Sequence, residues 1–257
     1  MRYAKQIAVP QFGEESQRAL SEATVAMVGC GALGSLQAEL LARMGVGGLR
    51  IADGDSVSLG NLHRQILFTE RDAAAGTPKV AAAAARLPAV NSGVRLYTLN
   101  ERVTRANIAR FVGDAGVVLD ATDSTDARFL VNDFCVSRGL PWIYCGVAGA
   151  AGLVLPVLPG GPCLRCLYPA PLADSEAANC LSAGILPMTV AMAVSLQVTQ
   201  LVRVLNGSAA PGTLIRFDVW DASVRTVKVG RDPACPCCGQ RRFEFLEDAP
   251  AQNVAEK

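Results

Sequence analysis

Apolar and polar residues along this chain switch repeatedly between a short continuous run and a 3.6-residue period, the pattern of buried strands alternating with amphipathic helices. Thr24 to Val28 and Leu49 to Ala52 are apolar runs that predict strands covered on both faces. Between them, residues 34 to 44 follow a helical period and stop at Gly45-Val46-Gly47-Gly48. A further helix opens at Gly76-Thr77-Pro78-Lys79-Val80 and runs through alanines to Leu87, with Thr77 as N-cap and Pro78 at the first helical position. Strands follow at Val94 to Leu99, Gly116 to Leu119, Trp142 to Val147 and Gly152 to Leu158. Helices are expected at Glu14 to Glu22, Thr104 to Phe111, Thr125 to Arg138 and Ile185 to Leu205, and late strands at Gly212 to Asp218 and Ser223 to Val229. Alternating strands and helices that give way to consecutive strands predict an α/β fold: a Rossmann-like sheet, largely parallel, with a mixed or antiparallel C-terminal extension.

Composition narrows the class. Of 257 residues, 51% are hydrophobic and 18% charged, which supports a substantial core. The net charge of +1, with no block of like charges, offers nothing to nucleic acid. The N-terminus carries no apolar signal core, and Ile185 to Leu205 is interrupted by Pro187, Thr189, Ser195, Gln197, Thr199, Gln200 and Arg203, so a buried helix rather than a membrane span is expected. A soluble cytoplasmic protein, with no membrane partner, is the default.

The first strand runs into Gly29-Cys30-Gly31-Ala32-Leu33-Gly34, a G-x-G-x-x-G that opens a helix. Such a turn lets the backbone approach a ligand and presents a helix N-terminus to phosphate, although glycine also serves tight turns for geometry alone. The second strand ends at Asp53, where a nucleotide ribose is usually held; to this point NAD and ATP fit equally. A long polar loop, Asp53 to Gln65, then replaces the short turn of a plain dinucleotide fold. Within it Asn61 and Arg64 are spaced to share a helical face, and Arg64 can fork onto phosphate oxygens. Lys79 falls in a first helical turn, where a cation opposes the helix dipole unless it faces a phosphate; from this residue alone an ordinary helix-surface lysine is the plainer reading. Asp123 lies past a central strand, where a carboxylate can hold Mg²⁺; capping of the next helix, by Asp123 or by Asp126, is the plainer role.

Nine cysteines include two separated Cys-x-x-Cys pairs, Cys163/Cys166 and Cys235/Cys238, the closed tetrathiolate pattern of structural zinc. Cys237 competes with Cys238, and the two-residue spacing from Cys235 favours Cys238. Cys180 stands apart, in a polar small-residue stretch ahead of the long helix whose dipole favours a thiolate; an inert thiol is the alternative. The lone histidine, His63, is expected beside Arg64 rather than in catalysis.

Taken in order, Arg2-Tyr3-Ala4-Lys5-Gln6-Ile7, the glycine turn, Asp53-Gly54-Asp55-Ser56-Val57, Asn61-Leu62-His63-Arg64-Gln65, Pro78-Lys79, Asp120-Ala121-Thr122-Asp123 and the two cysteine pairs resemble the ThiF/MoeB/HesA family, bacterial relatives of ubiquitin-activating enzymes. The resemblance covers nearly all of residues 1–240, and Gln65 to Thr69 with Asn179-Cys180 look closest to its ThiF branch. It implies one adenylation domain, with a nucleotide-binding part (1–158), a zinc and C-terminal part (159–240) and a tail (241–257). It further implies ATP-dependent adenylation of the C-terminal glycine carboxylate of a ubiquitin-like sulfur carrier ending in Gly-Gly, before sulfur from a separate donor protein makes a thiocarboxylate. By resemblance, Gly29, Gly31 and Gly34 shape the nucleotide turn and Asp53 holds ribose. Asn61, Arg64, Gln65 and Lys79 face ATP, Asp123 binds Mg²⁺, Cys180 enters sulfur transfer, and Lys5 reaches a partner subunit in a homodimer.

Departures from the family pattern sit at Lys5, where arginine is usual, at Ser124, where asparagine is usual, and at Gly184 to Met188. They leave open a related adenylase that modifies a peptide or natural-product carboxylate, and a non-catalytic carrier-binding scaffold. An NAD-dependent oxidoreductase accounts for the glycine turn and Asp53 but not for Asn61, Arg64, Lys79 and Asp123 together.

Overall fold

In the computed structural model, which describes residues 2–171 and 184–247, eight strands form one sheet in the order β3-β2-β1-β4-β5-β6-β7-β8. β1 (Thr24–Val28), β2 (Gly48–Ala52), β3 (Arg95–Leu99), β4 (Val117–Asp120) and β5 (Trp142–Ala148) are parallel. β6 (Ala151–Val157), β7 (Thr213–Asp218) and β8 (Ser223–Lys228) continue the sheet antiparallel, as the late strand run predicts. The chain winds from β1 out to β3 and then returns to lay β4 on the other side of β1. That reversal opens a crevice at the C-terminal ends of β1 and β4.

The helices are α1 (Ala4–Ile7), α2 (Gly13–Glu22), α3 (Ala32–Met44), α4 (Glu70–Ala74), α5 (Lys79–Val90), α6 (Ile108–Val112), α7 (Thr125–Arg138), α8 (Leu164–Leu167) and α9 (Pro187–Leu205). On one face, Leu41, Ala83, Val194 and Leu201 of α3, α5 and α9 pack with Met27, Ile51 and Ile143. On the other, Phe111, Phe129 and Phe134 of α6 and α7 pack with Val28, Val118 and Trp142. Cover on both faces explains why β1 and β4 read as unbroken apolar runs. By length and composition α9 could cross a membrane, but half of it is buried against the protein, the buried helix expected from its polar interruptions.

Several boundaries differ from expectation. Thr77 is not an N-cap: its carbonyl accepts from Val57 N (2.9 Å), Ser56 and Pro78 form an antiparallel bridge, and extended Pro78 delays α5 until Lys79. Ile185 is drawn into a bridge with Gly149, so α9 begins at Pro187. α3 begins two residues earlier than its glycine suggests, and α6 keeps only the last part of the expected helix. The unpredicted α1, α4 and α8 are too short to show a period, although the reciprocal Thr69–Asp72 capping box of α4 is a readable local signal. The polar segment around Cys180 lies outside the described residues, as does the tail beyond 247.

Buried polar groups pin the end of β4 from both faces. Gln37 of α3 and Gln197 of α9 each donate to Asp120 O (3.1 and 2.9 Å), and Gln197 also donates to Ile143 O (2.8 Å). From the opposite face, Arg128 of α7 meets the buried Asp120 carboxylate (Nε to Oδ2, 3.0 Å) and donates to Thr122 O (2.7 Å) and Cys145 O (3.2 Å). Burial opposes the Arg128 charge most strongly, and the Asp120 carboxylate, together with Tyr144 and Cys145 beside it, outweighs that cost. Arg128→Met therefore strands a buried carboxylate and should cost about 3–5 kcal/mol in urea unfolding. Adding Asp120→Asn should recover part of that loss; an Arg128→Met protein as stable as wild type would show that this pair does not hold the loop.

Candidate nucleotide site and cysteine cluster

The crevice is built on the turn from β1 into α3. Gly29 has a left-handed φ of +103°, and a Cβ there would lie 2.4 Å from Ala121 O. A Cβ on Gly34 would lie 2.2 Å from Gly29 O, so close packing of helix on strand excludes a side chain. Gly31 differs: the nearest atom to its missing Cβ is Gln65 Nε2, at 3.6 Å. Protein packing does not demand glycine there, and the bare backbone leaves room for a ligand at the N-terminus of a long helix. Gln65 is buried beside this turn, and its Oε1 has no hydrogen-bond partner among the described residues.

Asp53, at the end of β2, accepts from Cys30 N (2.7 Å) and Asp55 N (2.8 Å), which ties its carboxylate to the glycine turn. Lys79, the first residue of α5, is 5% exposed; its Nζ lies 2.8 Å from Asp55 Oδ2 and 3.7 Å from Asp53 Oδ1. These carboxylates offset the cost of a cation at a helix N-terminus. The hydrogen bond from Lys79 holds the Asp55 carboxyl below its ordinary range, against burial. Arg102, from the loop after β3, donates to Asp55 Oδ1 (3.1 Å).

In the long loop after β2, Arg64 Nη2 donates to Asn61 Oδ1 (2.8 Å), the shared face that their spacing predicts. His63 sits beside Arg64, with its Nε2 3.4 Å from Nη1. Asp123 is exposed in the loop after β4, with no hydrogen bond or ion pair to other described residues. It does not cap α7, and neither does Asp126: the cap is Ser124, whose Oγ accepts from Ala127 N (3.3 Å). Lys5 is exposed on α1, which is held at the far end of α3 by Gln6 Nε2 donating to Met44 O (2.9 Å). α3 is about 20 Å long, so Lys5 is not brought to the crevice of its own chain. Cys180 lies outside the described residues.

The crevice thus gathers Gly31, Asp53, Gln65 and Lys79, with Asn61, Arg64 and Asp123 on adjoining loops. Sequence reasoning missed Asp55, Arg102 and Arg128 as parts of it. Asp55 had a signal, an acid two residues past the strand-end Asp53. Arg102 is drawn in by the tertiary path of β3, which leaves no local mark.

Far from the crevice, on the α7 face of the sheet, the sulfurs of Cys163, Cys166, Cys235 and Cys238 all lie within 4.8 Å of one another. Cys163 Sγ is 3.6 Å from Cys235 Sγ, and Cys166 Sγ is 3.4 Å from Cys238 Sγ. Tetrahedral metal–sulfur bonds of about 2.3 Å place sulfurs roughly 3.8 Å apart, so the set can hold a metal ion. Cys237 lies outside this group of four, and Asn132 Nδ2 donates to its sulfur (3.2 Å). A hydrogen bond with Cys237, above all, holds the Cys163 thiol down at about 4, while burial pushes Cys235 and Cys238 up.

The model of the ThiF family matches residues 3–237. The chain is 40% identical over 250 residues to a Bacillus subtilis sulfur carrier protein ThiS adenylyltransferase, covering 95% of this chain and 73% of that protein. It is 37% identical to a Thermus thermophilus sulfur carrier protein adenylyltransferase (93% and 90% covered) and 33% identical to a Haloferax volcanii SAMP-activating enzyme E1 (96% and 92%). Among solved structures, Escherichia coli MccB with ATP superposes with a TM-score of 0.80 at 22% identity, over 93% of this chain and 75% of that one, a likeness of fold.

The cysteine geometry carries its own test. Cys166→Ser and Cys238→Ser should each lose bound metal and lower the melting temperature, whereas Cys237→Ser should keep its metal. Metal content per chain and thermal unfolding read both, and equal retention in all three variants would dissolve the four-sulfur assignment.

Proposed function

The chain belongs to the ThiF family, and on that premise we propose that it is an ATP-dependent adenylyltransferase that activates the C-terminal glycine carboxylate of a ubiquitin-like sulfur carrier protein. The observation that carries the reading is the crevice: a glycine at a helix N-terminus that protein packing does not demand, a strand-end carboxylate tied to that turn, and a buried lysine held beside it. The 33–40% identity to proteins named for this activity, across nearly the whole chain, supports it.

In this reading a carboxylate oxygen of the carrier attacks the α-phosphorus of ATP. The bond from that phosphorus to the bridging oxygen breaks, and pyrophosphate leaves with its electron pair. The reaction needs little covalent help; it needs alignment and positive charge on the developing oxyanions. Gly29, Gly31 and Gly34 shape the turn under the phosphates. Asp53, its carboxylate oriented by Cys30 N–H, takes the ribose hydroxyls. Lys79, Arg64 and Asn61 bind phosphate oxygens, and Gln65 Oε1, buried and unpaired, offers an acceptor to a nucleotide donor group. Asp123, an exposed carboxylate at the same sheet edge, suits Mg²⁺, which supplies charge neutralisation on the phosphates when bound. The cysteine cluster, with four thiol donors whose sulfurs lie within 4.8 Å of one another, suits structural Zn²⁺. A hydride-transfer enzyme would leave Lys79, the Asn61–Arg64 pair and Asp123 without a task.

We further propose that residues 1–240 act as one adenylation unit, working as a homodimer in which Lys5 reaches the partner subunit. Cys180 takes part in the second step, with sulfur supplied by a separate protein. Incubation with ATP, Mg²⁺ and a carrier ending in Gly-Gly should add one AMP to the carrier, seen by intact-protein mass spectrometry. Lys79→Ala should slow that addition by about a hundredfold or more; undiminished addition would remove Lys79 from the site. Cys180→Ser should form the adenylate normally and lose thiocarboxylate formation, while full activity in both steps would make Cys180 a bystander.

A further inference from the structure

Asp55 is absent from the assignments above, yet its contacts at the crevice are the most directed of any carboxylate there. Its backbone N–H donates to Asp53 Oδ1 (2.8 Å) and its carbonyl accepts from Lys79 N (3.0 Å). Its side chain takes Lys79 Nζ on Oδ2 (2.8 Å) and Arg102 Nη2 on Oδ1 (3.1 Å). Main chain and side chain together fix both the start of α5 and the far end of the lysine that α5 carries.

We infer that Asp55 is a positioning residue for Lys79, keeping its ammonium directed at the nucleotide phosphates and off the ribose carboxylate of Asp53. This deepens, and rests on, the nucleotide reading of the crevice. An ammonium has three donors, and Asp55 takes one in hydrogen-bond geometry. Asp53 lies 3.7 Å away, outside hydrogen-bond reach. Two donors therefore remain for phosphate oxygens, and both Asp53 oxygens keep their backbone partners. Without the Asp55 carboxylate, a lysine 5% exposed has Asp53 as its nearest anion. A buried ammonium without a close partner is costly, so Lys79 would close the gap to Asp53, and one contact with phosphate and one with ribose would weaken together.

Arg102 is the replaceable half of the arrangement. Its side chain is 81% exposed, and its charge is felt by Asp55, Asp123 and Asp53. An exposed ion pair of this kind is worth little and is screened by salt, so Arg102 offsets the negative charge at the rim without fixing geometry. The burden of aiming Lys79 falls on Asp55.

The test compares Asp55→Ala, Asp55→Asn and Arg102→Ala in the full chain, reading the KM for ATP in carrier-dependent ATP–pyrophosphate exchange. Binding of a fluorescent ATP analogue without carrier is read in parallel. Asp55→Ala should raise both the KM for ATP and the analogue Kd by about tenfold, the equivalent of one lost charge-assisted hydrogen bond. The KM for carrier and the melting temperature should hardly move. Asp55→Asn keeps an oxygen that accepts from Lys79 Nζ and should restore most of the affinity. Arg102→Ala should change the KM for ATP less than Asp55→Ala does. An Asp55→Ala enzyme with wild-type ATP affinity, or an Asp55→Asn enzyme as impaired as Asp55→Ala, would overturn the inference. If wild-type protein binds the analogue but exchanges with no carrier, the adenylation reading fails, and the Asp55 series in binding still decides the positioning role. Absence of nucleotide binding in wild type overturns both.

Discussion

A lysine that is 5% exposed needs anions around it, and the crevice of this protein is arranged to satisfy that need. Lys79 can begin α5 only because the loop after β2 folds back, with Val57 N on Thr77 O and Lys79 N on Asp55 O. The same fold-back holds Asp53 at the glycine turn and sets the path on which Asn61 and Arg64 pair. The long polar loop is therefore less a decoration of a nucleotide fold than the means by which a cation is buried at a helix N-terminus.

The sheet supplies the fixed frame for that loop. Its two faces are covered by different helices, and the end of β4 is gripped by polar groups from each: glutamines of α3 and α9 on one side, Arg128 of α7 on the other. Those contacts converge on Asp120 and Thr122, just before exposed Asp123. A loop held on either side of Asp123, by hydrogen bonds at Thr122 and Ser124, presents its exposed carboxylate at reduced entropic cost, which suits a site that works by alignment. The cysteine cluster lies in the core of the α7 face and fastens the segment after β6 to the one after β8. Its position matches a structural task, away from the chemistry.

The fold was largely legible in the hydrophobic pattern, because strands buried on both faces and long amphipathic helices leave strong periodic marks. The parallel sheet and its antiparallel extension followed from the succession of elements, whereas the order of the strands came only with the coordinates. Boundaries were lost where tertiary contacts overrode local preference, as at Thr77-Pro78, where a bridge to Ser56 displaced an otherwise sound capping signal. Very short helices such as α8, which follows Cys163 and carries Cys166, leave no period to read. At the crevice, Gly29 and Asp53 could be placed because each follows directly on a strand end, whereas Lys79, at the start of α5, stood out only through the family resemblance. Arg102 and Arg128 were not legible, since the one depends on where β3 lies beside β2 and the other on which face α7 covers. The two-residue spacing from Cys235 already favoured Cys238 over Cys237, and the Cys238 sulfur is the one that lies with the other three.

Carrier-dependent ATP–pyrophosphate exchange by the wild-type chain tests the central claim most directly, with an intact sulfur carrier set against the same carrier lacking its final glycine. The account predicts exchange that requires Mg²⁺ and the intact carrier terminus and vanishes with the truncated one. Exchange that ignores the terminus, or nucleotide binding without exchange under any carrier, would contradict it.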